Sequence, residues 1–282
     1  MSACPVCGRD PVVAALPGLL RCCACGLVYM GERSFAEPVY EAGLEAGIYG
    51  GGKARLFASA LDRLDKLLPV RDRLLDVGCA GGELMKAAAV RGWKPEGIEL
   101  SPGLAARAAG SGLKVYPTKI ENAGLQKDGY DAVTAFEVLS QMDSPASAIR
   151  EMHRALRPGG VIYIREFNAA FHLPIYRLES AGIFKPLGVK PAVVHALNFN
   201  SRSLRFLLEA AGFTEIEIRN SPPTSGDPYR TGGFLGGVLT GAVKILYYFL
   251  AESVWVVSFG RLLAGSALVV TARKAAIREA TG

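Results

Sequence analysis

A chain of 282 residues, half of them hydrophobic and 21% charged, can bury one large core and carry a small extra module, which excludes a disordered or fibrous protein. The formal net charge of +6 is spread thinly, without a long basic block, and argues against a nucleic-acid partner. The N-terminal "MSACPVCGRD" lacks a basic start followed by an apolar core, so a cytoplasmic location is the expectation.

Six cysteines in a chain of this kind point to metal binding or chemistry more than to disulfides. Four of them stand in two pairs, "CPVCG" (Cys4, Cys7) and "CCACG" (Cys22 or Cys23, then Cys25). Cys22, unlike Cys23, keeps the two-residue spacing to Cys25. Two such knuckles complete a closed tetrahedral zinc site, with no open position for catalysis. Cys4, Cys7, Cys22 and Cys25 are therefore expected to hold a structural zinc in a ribbon over residues 1–34. The competing reading is free buried cysteines or a redox pair. A segment this short would rely on the ion to fold.

Residues 35–69 read as a linker and an N-terminal helical lid. "VYEAGLEAGIYGGG" has no clean period, whereas Leu56, Phe57, Ala60, Leu61, Leu64, Leu67 and Leu68 recur at helical spacing until Pro69. From Leu74 strands and helices alternate. "RLLDVG", "PEGIEL", "LKVY", "YDAVTAFEVL" and "VIYIREFN" read as strands; "GELMKAAAVRG", "SPGLAARAAGSG" and "SPASAIREMHRALRPGG" read as helices, the last stopped at its Pro-Gly-Gly. "NSRSLRFLLEAAGF" is a further capped helix, and "TEIEIRN" and "SALVVTARK" are two last strands. Near-continuous apolar strands between helices predict an α/β, doubly wound, mostly parallel sheet covered on both faces.

In such a sheet a ligand sits past the carboxyl ends of the strands, so the turn in "RLLDVGCAGGEL" is the first candidate site. A nucleoside triphosphate would need a Lys-Ser or Lys-Thr after the glycines, and none follows. A dinucleotide would place glycines where Gly78, Ala80 and Glu83 stand, and Glu83 would repel a pyrophosphate at the helix start. S-adenosylmethionine carries no phosphate, and its cationic amino and sulfonium groups favour a nearby carboxylate.

"LDVGCAGGEL" resembles motif I of class I S-adenosylmethionine-dependent methyltransferases, an acid-x-Gly-x-Gly-x-Gly pattern read here as Asp76, Gly78, Ala80 and Gly82. The middle glycine is replaced by alanine. "GIELSP" places Glu99 where the family has its ribose-binding acid. "DGYDAVTAFEVL", "LRPGGVIYI" and "SRSLRFLLEAAGF" resemble the family's later motifs, so the likeness runs from about Phe57 to Lys274. It implies a seven-stranded Rossmann-like fold over 70–282 and a cofactor site of Asp76, Gly78, Ala80, Gly82, Glu99 and Leu100. It further implies that Ile120 and Glu121 flank the adenine, that Phe136 passes near the methionine part and that Tyr49 closes over the site. A ribbon ahead of such a domain resembles bacterial methyltransferases acting on natural products, sugars or lipid-linked intermediates. The implied acceptor is a small molecule, with O- or C-methylation preferred. The alternative is a zinc-ribbon binding or scaffold protein with a non-catalytic sheet domain.

Relatives often carry Glu-His after the fourth strand, and here Ser140 and Gln141 stand there. His195, in "VVHALNFNSRSL", resembles an acceptor-lining segment and is a candidate base; the alternative is a local hydrogen bond. Glu166 is the second candidate, against a rim salt bridge with Arg165. His172 falls near the acceptor side, while His153 reads as a solvated or packing residue on a helix and Cys79 as a packing residue. The stretch "GGFLGGVLTGAVKILYYFLAESVWVVSFG", within an apolar insertion at 231–260, has only Lys244 and Glu252 as charges. A bilayer crossing is opposed by its central lysine and by the strand that must return to the same sheet. It is expected either to pack on the domain or in a dimer, or to act as an apolar lid or a peripheral membrane contact through 232–260, anchored by Tyr247, Tyr248 and Trp255.

Overall fold

Strands β1 (Val12–Leu16), β2 (Leu19–Cys22) and β3 (Val28–Met30) form an antiparallel meander at the N-terminus. The computed structural model describes residues 3–10, 12–31, 53–187, 191–224 and 234–276. Tyr49 and most of the 35–69 segment's non-helical part lie outside the described residues. Helix α1 (Ala54–Leu67) buries Leu56, Phe57, Ala60, Leu61 and Leu64, the stripe that the 3.6-residue period dictates. Each leucine or phenylalanine among them, fully buried, contributes about 1.5–3 kcal/mol.

Alternation then proceeds as the sequence predicts: β4 (Arg73–Val77), α2 (Glu83–Val90), β5 (Lys94–Ile98), α3 (Pro102–Gly110), β6 (Lys114–Tyr116), β7 (Tyr130–Phe136), α4 (Pro145–Ala155) and β8 (Leu156–Phe167). After α5 (Ala169–Ser180) come β9 (Leu197–Asn198), α6 (Ser201–Ala210), β10 (Phe213–Asn220), α7 (Phe234–Val257) and β11 (Ala267–Lys274). One difference concerns "LRPGG". Helix α4 ends at Ala155, and Leu156 already pairs with Tyr130. The register shifts between Tyr130 and Ala132, so the Pro-Gly-Gly run is absorbed as a bulge in β8.

The seven-stranded sheet has the order β10-β11-β8-β7-β4-β5-β6. Strands β8, β7, β4, β5 and β6 are parallel, and β11 runs antiparallel between β8 and β10. This is the Rossmann-like methyltransferase topology. Alternation along β4 sends Leu74 to the face covered by α1 and Leu75 and Val77 to the opposite face. Strand order reverses between β4 and β7, which puts the expected ligand crevice at their carboxyl ends.

The N-terminal meander is not a free-standing bead. Val28 and Tyr29 pair with Asn198 and Leu197 of β9, so the sheet domain lends it a fourth strand. Cys4, Val6, Leu27 and Tyr29 share one apolar core with Ile149, Phe199 and Leu204. Asn200, the N-cap of α6, donates to the Gly26 carbonyl at 2.8 Å, and Arg202 donates to the Ala24 carbonyl at 2.7 Å. Among the described residues, no helix is long and apolar enough to cross a membrane.

Candidate active site

The glycine turn after β4 is fixed from two sides. Gly78 and Cys79 N–H groups donate to the Ile98 carbonyl at 2.8 and 3.0 Å. The Ala80 N–H donates to Glu99 Oε2 at 2.9 Å, and the Ser101 N–H donates to Glu99 Oε1 at 2.8 Å. Gly78 and Gly82 have φ of +75° and +81°. A Cβ at Gly78 would stand 2.8 Å from Val138, and one at Gly82 would stand 2.3 Å from Leu113. Gly78 therefore excludes a side chain on two counts, conformation and contact with the β-branched Val138, and Gly82 chiefly through its conformation, since the end of a leucine can yield.

Ala80, where the pattern has glycine, adopts a φ of +47°. An L-residue in that region is strained by roughly 1–2 kcal/mol, partly offset because alanine loses less unfolded-state entropy than glycine. Ala80→Gly is expected to stabilise the fold by about 0.5–1 kcal/mol, a rise of roughly 1–4 °C in Tm, readable by thermal denaturation. A fall in Tm would mean that the Ala80 methyl packs productively.

A cavity of about 620 Å³ opens at the carboxyl edge of the sheet, within the range typical of small-molecule sites. Gly78, Ala80, Glu99, Leu100, Ile120 and Glu121 line it, and Phe136 closes one side. Seven of the expected cofactor residues thus come together. Asp76 sits behind the turn in a small adjoining cavity with Lys53, Phe57 and Phe136. Gly82 shapes the turn from outside the cavity. Asp76 is buried and accepts from the Thr134 hydroxyl at 2.7 Å. Burial raises its pKa to about 7, with the neighbouring Glu99 and Glu83 charges adding to the rise. Acids on three sides make this end of the site suited to a cation.

A buried charge cluster that sequence reasoning missed stands beside the cavity. Glu137, directly after β7, has a φ of +57° and lines the cavity. Its carboxylate pairs with the buried Arg165 guanidinium and accepts from Lys53 Nζ at 2.8 Å. Arg165 also donates to the Ser221 hydroxyl. A non-glycine residue held in the left-handed region at a strand end, in "FEVL", is a strained position of the sort that clusters at functional sites. The only hint in sequence was an acid inside an apolar run.

Glu166 does not form the rim salt bridge with Arg165 that was the alternative reading, because adjacent strand residues point to opposite faces of the sheet. Its Oε1 accepts from the Leu139 and Ser140 N–H groups at 2.7 and 3.3 Å, pinning the 3₁₀ turn Leu139–Gln141. Burial raises its pKa to about 7. It stands behind the cavity wall. His195 also lies outside the wall, but the next residue, Ala196, lines it. The His195 Nε2 atom is buried with no hydrogen-bond partner among the described residues, and burial lowers its pKa. His172 is committed locally: Nδ1 accepts from the Val193 N–H, Nε2 donates to the Ser266 carbonyl, and burial brings its pKa down to about 4. His153 packs edge-on against Phe213, and Cys79 is buried under the turn.

At the N-terminus Cys4, Cys7, Cys22 and Cys25 converge, with all four sulfurs within 4.8 Å of one another. The Cys4–Cys25 and Cys7–Cys22 pairs are 3.5 Å apart. Tetrahedral zinc with Zn–S of about 2.3 Å needs sulfurs about 3.8 Å apart, so the donor set fits the ion. Cys23 is exposed and takes no part.

With acids in place of a phosphate-binding lysine around its glycine turn, the sheet domain is a Rossmann-like fold suited to a positively charged nucleoside. Residues 49–218 match the family described as Methyltransferase domain, and the chain belongs to that family. It is 33% identical over 141 residues to a ubiquinone biosynthesis O-methyltransferase of Xanthomonas oryzae pv. oryzae, covering 44% of this chain and 59% of that protein. A Dechloromonas aromatica protein of the same name is 37% identical over 116 residues, covering 38% and 50%. The chain thus spans about half the length of the curated relatives it matches. A solved S-adenosylmethionine-dependent methyltransferase of Archaeoglobus fulgidus shares the fold, with a TM-score of 0.54, 16% identity, and coverage of 82% of this chain and 97% of that one.

Proposed function

We propose that the protein binds S-adenosylmethionine in the cavity at the carboxyl edge of the sheet and methylates an oxygen of an apolar small molecule. The observation that carries this reading is the convergence of Glu99 and the strained turn on one cavity, with Asp76 in the smaller one that adjoins it behind the turn. The preference for oxygen rests on the relatives' printed names. When bound, S-adenosylmethionine supplies an electrophilic methyl group on a sulfonium.

The chain's own residues then have separable tasks. Glu99, held rigid by two backbone N–H groups, keeps free lone pairs for ribose hydroxyls. Leu100 and Ile120 offer apolar walls for a purine, with Glu121 at the rim. Asp76 and Lys53, facing one small cavity, suit the ammonium and the carboxylate of an amino-acid end. Phe136, packed between Phe57 and Tyr163 at 5.2 and 5.6 Å, keeps water from the reacting centre. His195, whose charged form burial disfavours, is the candidate proton acceptor for a hydroxyl substrate; its Nε2 is buried behind the wall that Ala196 lines, so that wall must shift to bring the two within hydrogen-bond reach. Glu166 is a positioning residue that sets the turn carrying Ser140. The four cysteines hold a structural zinc.

Calorimetric titration of the full chain with S-adenosylmethionine and S-adenosylhomocysteine tests this reading. Because the folded pKa of Asp76 is raised to about 7, an incoming ammonium favours its ionised form and binding releases a proton. Affinity should therefore rise with pH up to about 7, by at most about tenfold per unit, and fall above it as Lys53, whose pKa burial lowers to about 7, loses the charge proposed to meet the carboxylate. A flat profile would remove Asp76 from the ammonium site. Absence of binding at any pH would leave the scaffold reading in place.

A further inference from the structure

Behind the cavity wall two neighbouring side chains each enclose an oxygen with no hydrogen-bond partner among the described residues: Glu166 Oε2 and the Ser140 hydroxyl. Glu166 is 1% exposed and Ser140 2%. The Glu166 carboxyl is used one-sidedly. Its Oε1 accepts from the Leu139 and Ser140 N–H groups at 2.7 and 3.3 Å, while Oε2 accepts nothing. The side chain leaves β8 on the face that carries Ile162 and Ile164, toward the apolar core. The nearest cations serve another acid. The Arg165 guanidinium, on the opposite face, pairs with Glu137 and donates to Ser221. Lys53 Nζ donates to Glu137 at 2.8 Å.

We propose that Glu166 holds the turn Leu139–Gln141 as a neutral carboxylic acid whose proton is donated to the Ser140 hydroxyl. A carboxylic acid divides into one accepting oxygen and one donating oxygen. The same division stands here: one oxygen takes two N–H groups, and the other lies beside a hydroxyl that lacks a partner. A single proton on Oε2 satisfies both orphaned atoms. Without it the core encloses a charge with nothing on one side, which costs far more than a neutral group that is hydrogen-bonded. Burial drives the Glu166 pKa up to about 7, against a smaller opposing pull from the two N–H groups, the Ser140 hydroxyl and Arg165. Glu137 and Lys53, the charged groups at the end of β7 and the start of α1, face each other.

On the methyl-transfer reading this turn is the acceptor wall, since Ser140, Gln141 and Met142 line the cavity. The protonation itself does not depend on that reading. A carboxyl that already carries its proton does not take one from a substrate hydroxyl, so Glu166 positions the wall and is not the base. Ionisation puts a charge under the wall, which is therefore firmest on the acid side of neutrality.

Thermal unfolding of wild type and Glu166→Gln across pH tests the proposal. Neither donor nor acceptor is present, so the outcome is separate from that of the S-adenosylmethionine titration. Glutamine reproduces the acid: its oxygen accepts from the two N–H groups, and its NH₂ donates to Ser140. A folded-state pKa raised from the ordinary 4.5 to about 7 gives stability that is full below the first value and lost as pH rises to the second. The variant has no such titration. Its Tm relative to wild type should climb by roughly 2–5 °C per pH unit from about pH 5 to about pH 7, then level off. A relative Tm that stays level or falls over that range means an ionised Glu166 and overturns the proposal. Infrared difference spectra decide the matter if the variant does not fold. Raising the pH of wild type from about 5 to about 9 should remove a protonated-carboxyl band, and Ser140→Ala should shift that band because the acid loses its acceptor. The absence of any such band that responds to Ser140→Ala overturns the proposal as well.

Discussion

Glu99→Ala is expected to weaken S-adenosylhomocysteine binding roughly 10- to 100-fold, as loss of hydrogen bonds to a charged group does. Two separate effects contribute. The carboxylate is the proposed ribose partner, and it also holds the Ala80 and Ser101 N–H groups at 2.9 and 2.8 Å. Removing it leaves two donors unsatisfied beside a turn that already strains Ala80. A ligand lacking the 2′-hydroxyl separates the two effects. Wild type should lose affinity for the deoxy ligand, and Glu99→Ala should bind both forms equally, because the pairwise coupling is gone. If the variant still discriminates between them, the ribose contact lies elsewhere and Glu99 serves only the turn.

The order of elements, the glycine turn and the two strand-end acids were legible because each is written locally. An apolar run, a run of small residues and a carboxylate at a fixed offset suffice to mark them. The strained cluster around Glu137 was not legible. Its partners, Lys53 and Arg165, stand 84 and 28 positions away in the chain, and only the sheet brings them together. The same holds for Glu166. As a residue in "YIREFN" it could face either side of β8, and its task depends on Leu139 and Ser140 at the end of the neighbouring strand. Pairing of β3 with β9 was invisible for a similar reason, since a two-residue strand 170 positions away carries no periodic signal. The apolar stretch at 231–260 was visible as composition, but which flank of its helix faces outward is decided by Asn220 and Tyr247 contacts that no pattern announces.

The β3–β9 pairing gives zinc a reach beyond its own module. Cys22→Ser should abolish zinc, read by elemental analysis as a fall from about one ion per chain, and Cys23→Ser should leave it in place. Structural zinc supplies roughly 10–16 kcal/mol in isolated modules. Here the ribbon shares its core with Phe199 and Leu204, so part of its fold survives on packing. Loss of about 4 kcal/mol is the expected result, or roughly 8–16 °C in Tm, while the Cys23 variant should stay within about 0.5 kcal/mol of wild type. The knuckle around Cys22–Gly26 also accepts the hydrogen bonds of Asn200 and Arg202, and Met30 donates to the carbonyl of Ala196 at 3.0 Å. Ala196 lines the cavity and adjoins His195. Zinc removal should therefore loosen the acceptor wall more than the donor pocket. The expected signature is faster amide exchange at residues 195–202, with S-adenosylhomocysteine affinity changed less than threefold. Unchanged exchange in that segment would mean that the ribbon rests on the domain without supporting its site.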